Sequence, residues 1–145
     1  MSKTQRTERN EQIVERFLIE SHGNRPEVVD ELVTEDVRLH GFPGGDPANR
    51  DEYKQFFVNL NAAFPGMTTQ VPLVIANDHY VAARWRVVGT HRAPFAGIPA
   101  TGKNVDFSGM VIYRMEGDRI AETWLQPDSV TLLQQLGAMP EPEAA

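Results

Sequence analysis

The chain has 145 residues, 20 acidic against 14 basic side chains, a formal net charge of −6 and no cysteine. That length predicts one domain of ordinary size, and the missing cysteines exclude disulfide scaffolds, cysteine–zinc centres, thiol nucleophiles and iron–sulfur ligation. The acidic balance argues against nucleic acid, whose phosphates call for a basic surface.

No apolar run approaches the roughly 20 residues that span a bilayer. The polar start MSKTQRTERNEQ shows no secretory core. The expectation is therefore a cytoplasmic protein with no membrane partner. No repeat or linker divides the chain. It reads as one domain over residues 1–138, followed by a disordered tail, 139–145, with two prolines and two glutamates and almost nothing to bury. The first six residues also read as frayed.

In chain order, Ile13, Val14, Phe17 and Leu18 form one apolar stripe and predict a helix from about Lys3 to Ser21. His22-Gly23-Asn24 ends it, which places His22 at a solvated helix end. Pro26 suits the first position of a short second helix carrying Val28, Val29, Leu32 and Val33. Asp36 to His40 alternates polar and apolar, as a short strand does. GFPGGDPAN is turn chemistry. Asn49 or Asp51 caps a third helix with Tyr53, Phe56, Phe57, Leu60 and Phe64 on its stripe, and Pro65-Gly66 stops it.

The second half reads as sheet. Thr68–Ala76 is β-branched and apolar, and Asn77-Asp78 is a tight turn. His79–His91 is a long strand with Val81, Ala83, Trp85 and Val87 on one face and Ala82, Arg84, Arg86 and Val88 on the other. RAPFAGIPATGK is a loop, Asn104–Met115 a second long strand, and Glu116-Gly117-Asp118 a hairpin turn into a return strand, Arg119–Gln126. Pro127 breaks that strand. Asp128 caps a last helix lined by Val130, Leu133 and Leu136. Helices followed by a run of antiparallel strands make an α+β domain, a curved sheet with helices across one face. Apolar residues occupy both faces of the long strands, so the uncovered face points to a homodimer formed through the sheet.

Motif by motif, little catalytic chemistry is legible. Gly97 to Lys103 matches the opening of a phosphate-binding loop, but Asn104 stands where Ser or Thr would hold magnesium and a strand follows where a helix is needed. The four histidines, His22, His40, His79 and His91, show no helical metal spacing, so no metal is expected. No Gly-x-Ser-x-Gly elbow is present. His40 and His91 end strands, from which each can reach a cavity. Arg84 and Arg86 are either surface arginines or anchors for a ligand oxygen.

The run Arg84-Trp85, Gly89-Thr90-His91, Phe95 to Lys103, Arg119-Ile120-Ala121-Glu122-Thr123-Trp124, Asp128 and Leu133 to Gly137 resembles the SnoaL-like polyketide cyclase family of the nuclear transport factor 2-like superfamily. His40, Tyr53 and Phe56 fit the same resemblance. It implies a cone-shaped α+β barrel: a strongly curved, mostly antiparallel sheet with helices on its concave face, closing a deep pocket. It also implies cofactor-free acid–base chemistry on a carbonyl compound, with a carboxylate on the return strand. The place of that aspartate falls on Leu125, and that of its accompanying histidine on Val111. Neither can move a proton.

The resulting expectation is a cofactor-free, cyclase-like enzyme acting on a small hydrophobic molecule. His40 is the candidate acid–base residue, His91 a second polar group, and Arg84 or Arg86 the oxyanion stabiliser. Glu122 is a carboxylate in reserve, as is Asp128, whose first job is capping. Candidate ligand contacts are Tyr53, Phe56, Phe57, Leu60, Trp85, Arg86, Val111, Thr123, Trp124 and Leu125. Two alternatives stay open: a non-catalytic binding protein for a hydrophobic metabolite, and a structural dimer with a filled cone.

Overall fold

The computed structural model describes residues 3–140, so most of the tail expected from 139 onward lies outside the described residues. Met1 and Ser2 lie outside the described residues, and from Thr4 on the structure corrects the expectation of fraying. The Thr4 hydroxyl accepts a hydrogen bond from the Thr7 amide and caps α1 (Gln5–His22). Thr4 and Thr7 also donate to Asp78, while Arg6 and Arg9 both pair with Asp118. These contacts tie the first turns of the helix to two strand-connecting turns far along the chain.

The α1 stripe of Ile13, Val14, Phe17 and Leu18 is buried. The second helix, α2 (Val28–Leu32), starts two residues after Pro26, whose carbonyl accepts the Val29 amide from within the preceding turn. β1 (Val33–His40) begins three residues ahead of the predicted start, because Val33 already aligns with Ile120 before a register shift. Asn49, not Asp51, caps α3 (Arg50–Ala63), accepting from the Glu52 amide at 2.9 Å. β2 (Thr68–Ala76), β3 (Tyr80–Thr90), β4 (Asn104–Glu116) and β5 (Arg119–Pro127) follow, and α4 (Ser129–Gln135) ends the described fold.

The five strands form one open sheet in the order β1-β5-β4-β3-β2, with β1 parallel to β5 and every other pair antiparallel. This is an α+β, cone-like fold. Alternation along each strand sorts the side chains. Val37 and Leu39, Val81 to Val87, Val105 to Met115, and Ala121 and Thr123 contribute their alternate positions to the buried face. The helices cover that face with rings: Phe17 packs on Tyr53, Phe57 and Tyr113 at centroid separations of 5.9, 5.6 and 6.0 Å.

Two glycines are dictated by close approach. At Gly41, just past β1, φ is +86° and a Cβ would sit 2.0 Å from the Leu125 carbonyl oxygen. The chain turns there and delivers Phe42 into the core. At Gly109 in β4, a Cβ would fall 2.4 Å from the Trp85 ring, so the missing side chain is what lets the indole lie on the sheet. The segment Gly97–Lys103 is a loop that runs into β4, not a helix. No described helix is long and apolar enough to cross a membrane.

Candidate functional site

Between α1, α3 and the covered face of the sheet lies a cavity of about 50 Å³. Its walls are ring-rich. Phe56, Phe57 and Leu60 come from the α3 stripe, Phe42 from the turn after β1, Phe95 from the long loop, and Trp85, Phe107, Val111 and Leu125 from the strands. Helical spacing puts the α3 rings on one side, and period-two alternation brings Trp85, Val111 and Leu125 to the other. Val111 and Leu125 are direct cross-strand partners.

Few polar groups face this space. Tyr53, Tyr113 and Thr123 line it together, Tyr113 and Thr123 being cross-strand partners on β4 and β5. Burial pushes both phenols above their ordinary pKa, and the neighbouring Tyr53 adds to the effect on Tyr113. Both therefore remain neutral O–H donors. The Tyr53 hydroxyl is turned towards Thr123, yet the buried Thr123 Oγ1 has no hydrogen-bond partner. An orphaned hydroxyl facing a cavity is an unusual and costly arrangement.

His22 is the imidazole that lines the cavity. Its ring packs edge-on to Phe57 at 5.5 Å and lies 6.5 Å from Trp85. Its Nδ1 is 2.8 Å from the Leu18 carbonyl oxygen. Burial drives its pKa down to about 4, against a smaller upward effect of that carbonyl. This corrects the solvated reading of His22. His22 stands four residues beyond Leu18, on the line of the buried stripe of α1, but nothing local separates that position from a solvated helix end.

The other candidates are placed differently. Of the expected ligand contacts, Tyr53, Phe56, Phe57, Leu60, Trp85, Val111, Thr123 and Leu125 line the cavity; Arg86 and Trp124 do not. His40 stands on the opposite, exposed face of the sheet. Its Nε2 is 2.7 Å from Glu122 Oε2, and its ring stacks on Trp124 at 5.7 Å. This corrects the expectation of an inward acid–base residue: the buried alternates Val37 and Leu39 take the core side of β1. Glu122 is held below the usual carboxylate range by His40 and then by Arg114, both away from the cavity.

Arg84 and Arg86 share that outer face, so neither is positioned as an oxyanion stabiliser in the cavity. Arg86 makes a bidentate pair with Asp106 at 2.8 and 2.6 Å. His91 is fully buried but lies outside the cavity, against Phe64. Its Nδ1 accepts the Thr101 amide, and its backbone bonds Lys103 and Gly102. Thus His91 braces the long loop. Asp128 caps α4 through the Thr131 amide and hydroxyl. Among the described residues no carboxylate lines the cavity, and no cluster of three metal-ligating side chains occurs.

The model of the SnoaL-like polyketide cyclases matches residues 12–136. No curated protein matches the sequence. Solved structures share the fold. A protein of Jannaschia sp. CCS1 assigned as a SnoaL-like polyketide cyclase is 20% identical with a TM-score of 0.84, over 97% of this chain and 99% of its own. TsrD of Streptomyces laurentii is 21% identical with a TM-score of 0.80, over 91% and 97%. A protein of Acidithiobacillus ferrooxidans assigned as a polyketide cyclase is 28% identical with a TM-score of 0.76, over 95% and 99%.

Proposed function

This chain belongs to the SnoaL-like polyketide cyclase family, and from that premise we propose that its cavity takes up a small, largely apolar carbonyl compound and promotes cofactor-free enolisation of it. The observation that carries this reading is the hydroxyl group of Tyr53, Tyr113 and Thr123 set into walls that are apolar apart from His22 and Ser129. A few convergent donors in an apolar cavity are the usual design of a small-molecule site. A carbonyl oxygen placed among them gains hydrogen bonds that strengthen as it becomes an enolate oxygen, and a dry site magnifies that gain.

Leu125 and Val111 occupy the places the family resemblance gives to an acid–base pair, and both face the cavity. The site's contribution is therefore substrate orientation and oxyanion stabilisation; the α-proton passes to a solvent base, water or buffer, that enters with the ligand, and a solvent proton returns to the enolate carbon. A ring-bearing ligand exceeds the resting cavity of about 50 Å³, so its entry requires the rings of Phe56, Phe57 and Phe95 to move apart. Deuterium exchange at the α-carbon of 2-tetralone in heavy water, followed by proton NMR, tests the proposal. Exchange faster than in buffer, reduced at least about tenfold in Tyr113→Phe, supports the reading. The absence of any carboxylate from the cavity wall favours a second reading, a binding protein for a hydrophobic metabolite; 2-tetralone bound without exchange selects it.

The same reading includes a homodimer through the outer sheet face. Leu73, Ile75, Tyr80, Met110, Ile112 and Trp124 are exposed there together. Burying them against a second copy would remove an apolar surface larger than scattered exposure accounts for.

A further inference from the structure

We infer that His22 is a fixed, neutral hydrogen-bond acceptor that selects ligands carrying a hydroxyl group in the cavity. The inference rests on the reading of the cavity as a small-molecule site. A carbonyl oxygen can only accept, so the 2.8 Å contact between His22 Nδ1 and the Leu18 oxygen places the proton on Nδ1; the Ser21 hydroxyl, 3.1 Å from the same nitrogen, is then free to donate to the Leu18 oxygen instead. The lone pair is thereby assigned to Nε2, which has no hydrogen-bond partner among the described residues. Leu18 and His22 are both on α1, so one turn of helix fixes the tautomer and the helix fixes the ring.

The ring is held from its other sides by Phe57 and Trp85, and no acidic side chain lines the cavity to draw a proton onto it. Burial likewise favours the neutral form. A neutral imidazole of such low basicity is poorly suited to take a proton from carbon. It is well suited to receive a hydrogen bond from a phenol or enol. The cavity then has hydroxyl groups at Tyr53, Tyr113, Thr123 and Ser129, each able to donate, and one group at His22 that can only accept. A ligand bearing both a carbonyl and a hydroxyl satisfies both kinds of group. One lacking the hydroxyl takes Nε2, which is accessible in the free protein, out of contact with water and leaves it unpaired, which binding sites penalise.

Two measurements test this on the full chain. The first is a long-range proton–nitrogen NMR correlation of the His22 imidazole at neutral pH. Protonated Nδ1 with bare Nε2 is expected; the reverse tautomer overturns the inference. The second compares phenol with the near-isosteric toluene, by ligand-observed NMR titration, in the unaltered protein and in His22→Phe. The phenol-to-toluene preference is expected to fall about tenfold in the variant while toluene still binds. A preference unchanged by the substitution overturns the inference and leaves the small-molecule reading standing. Failure of the unaltered protein to bind either compound removes both.

Discussion

Thr123 and His22 show how much a single cavity-facing side chain carries. The Thr123 hydroxyl is buried without a partner in the described structure, so Thr123→Val is expected to leave stability unchanged or raise it by about 1 kcal/mol, read by urea denaturation. His22 sets a pH dependence. Its pKa falls from the ordinary 6.5 to about 4 on burial, so protons bind the unfolded chain more readily. The stability it contributes is complete above pH 6.5 and declines as pH drops towards 4. Unfolding free energies between pH 7 and 4.5 should therefore decline less steeply in His22→Phe than in the parent. By contrast, His40 is exposed and paired only at the outer surface, so His40→Gln is expected to leave 2-tetralone exchange within about twofold of the parent.

Elements impose the next layer of constraint. β4 is a strand whose middle must be bare, because Trp85 of β3 lies over Gly109. Gly109→Ala is expected to push the indole off the sheet, cost about 1–3 kcal/mol in overpacking and distort the cavity wall beside His22. The emission of Trp85, buried in the parent, should shift to longer wavelength, separable from exposed Trp124 in a Trp124→Phe background. α1 is anchored at its N-terminal end by side chains from elsewhere in the sequence. Asp118 clasps Arg6 and Arg9, and these pairings hold its carboxyl well below its ordinary range. That anchor weakens only as pH falls through this depressed value, long after His22 has begun to charge.

At the scale of the whole molecule, one sheet serves two environments. Its covered face builds the cavity, and its outer face carries Met110 and Ile112 beside Trp124 and Tyr80. Sedimentation at micromolar concentration is expected to give twice the chain mass. Ile112→Lys should shift the protein towards monomer without moving the phenol affinity of the cavity, since Ile112 does not line it. A monomeric parent protein would contradict the dimer.

Much of this architecture is legible in the sequence, for identifiable reasons. The α3 stripe and the alternation of β3 each follow from local periodicity, and turn residues mark where the strands begin and end. Tyr53, Phe56, Phe57 and Trp85 line the cavity because one helix face and one strand face point the same way. The family was legible as well, through motifs spread along the chain. Which histidine faces the cavity was not. The alternation in β1 separates His40 from Val37 and Leu39 but does not say which set is inward; burial of the aliphatic pair decides that in the folded sheet. His22, at the end of its helix, looks solvated until Phe57 and Trp85 close over it, and they come from α3 and β3. Local pattern determined the elements and their faces, whereas only long-range packing determined which polar groups those faces enclose, since a side chain's solvation depends on neighbours distant in sequence.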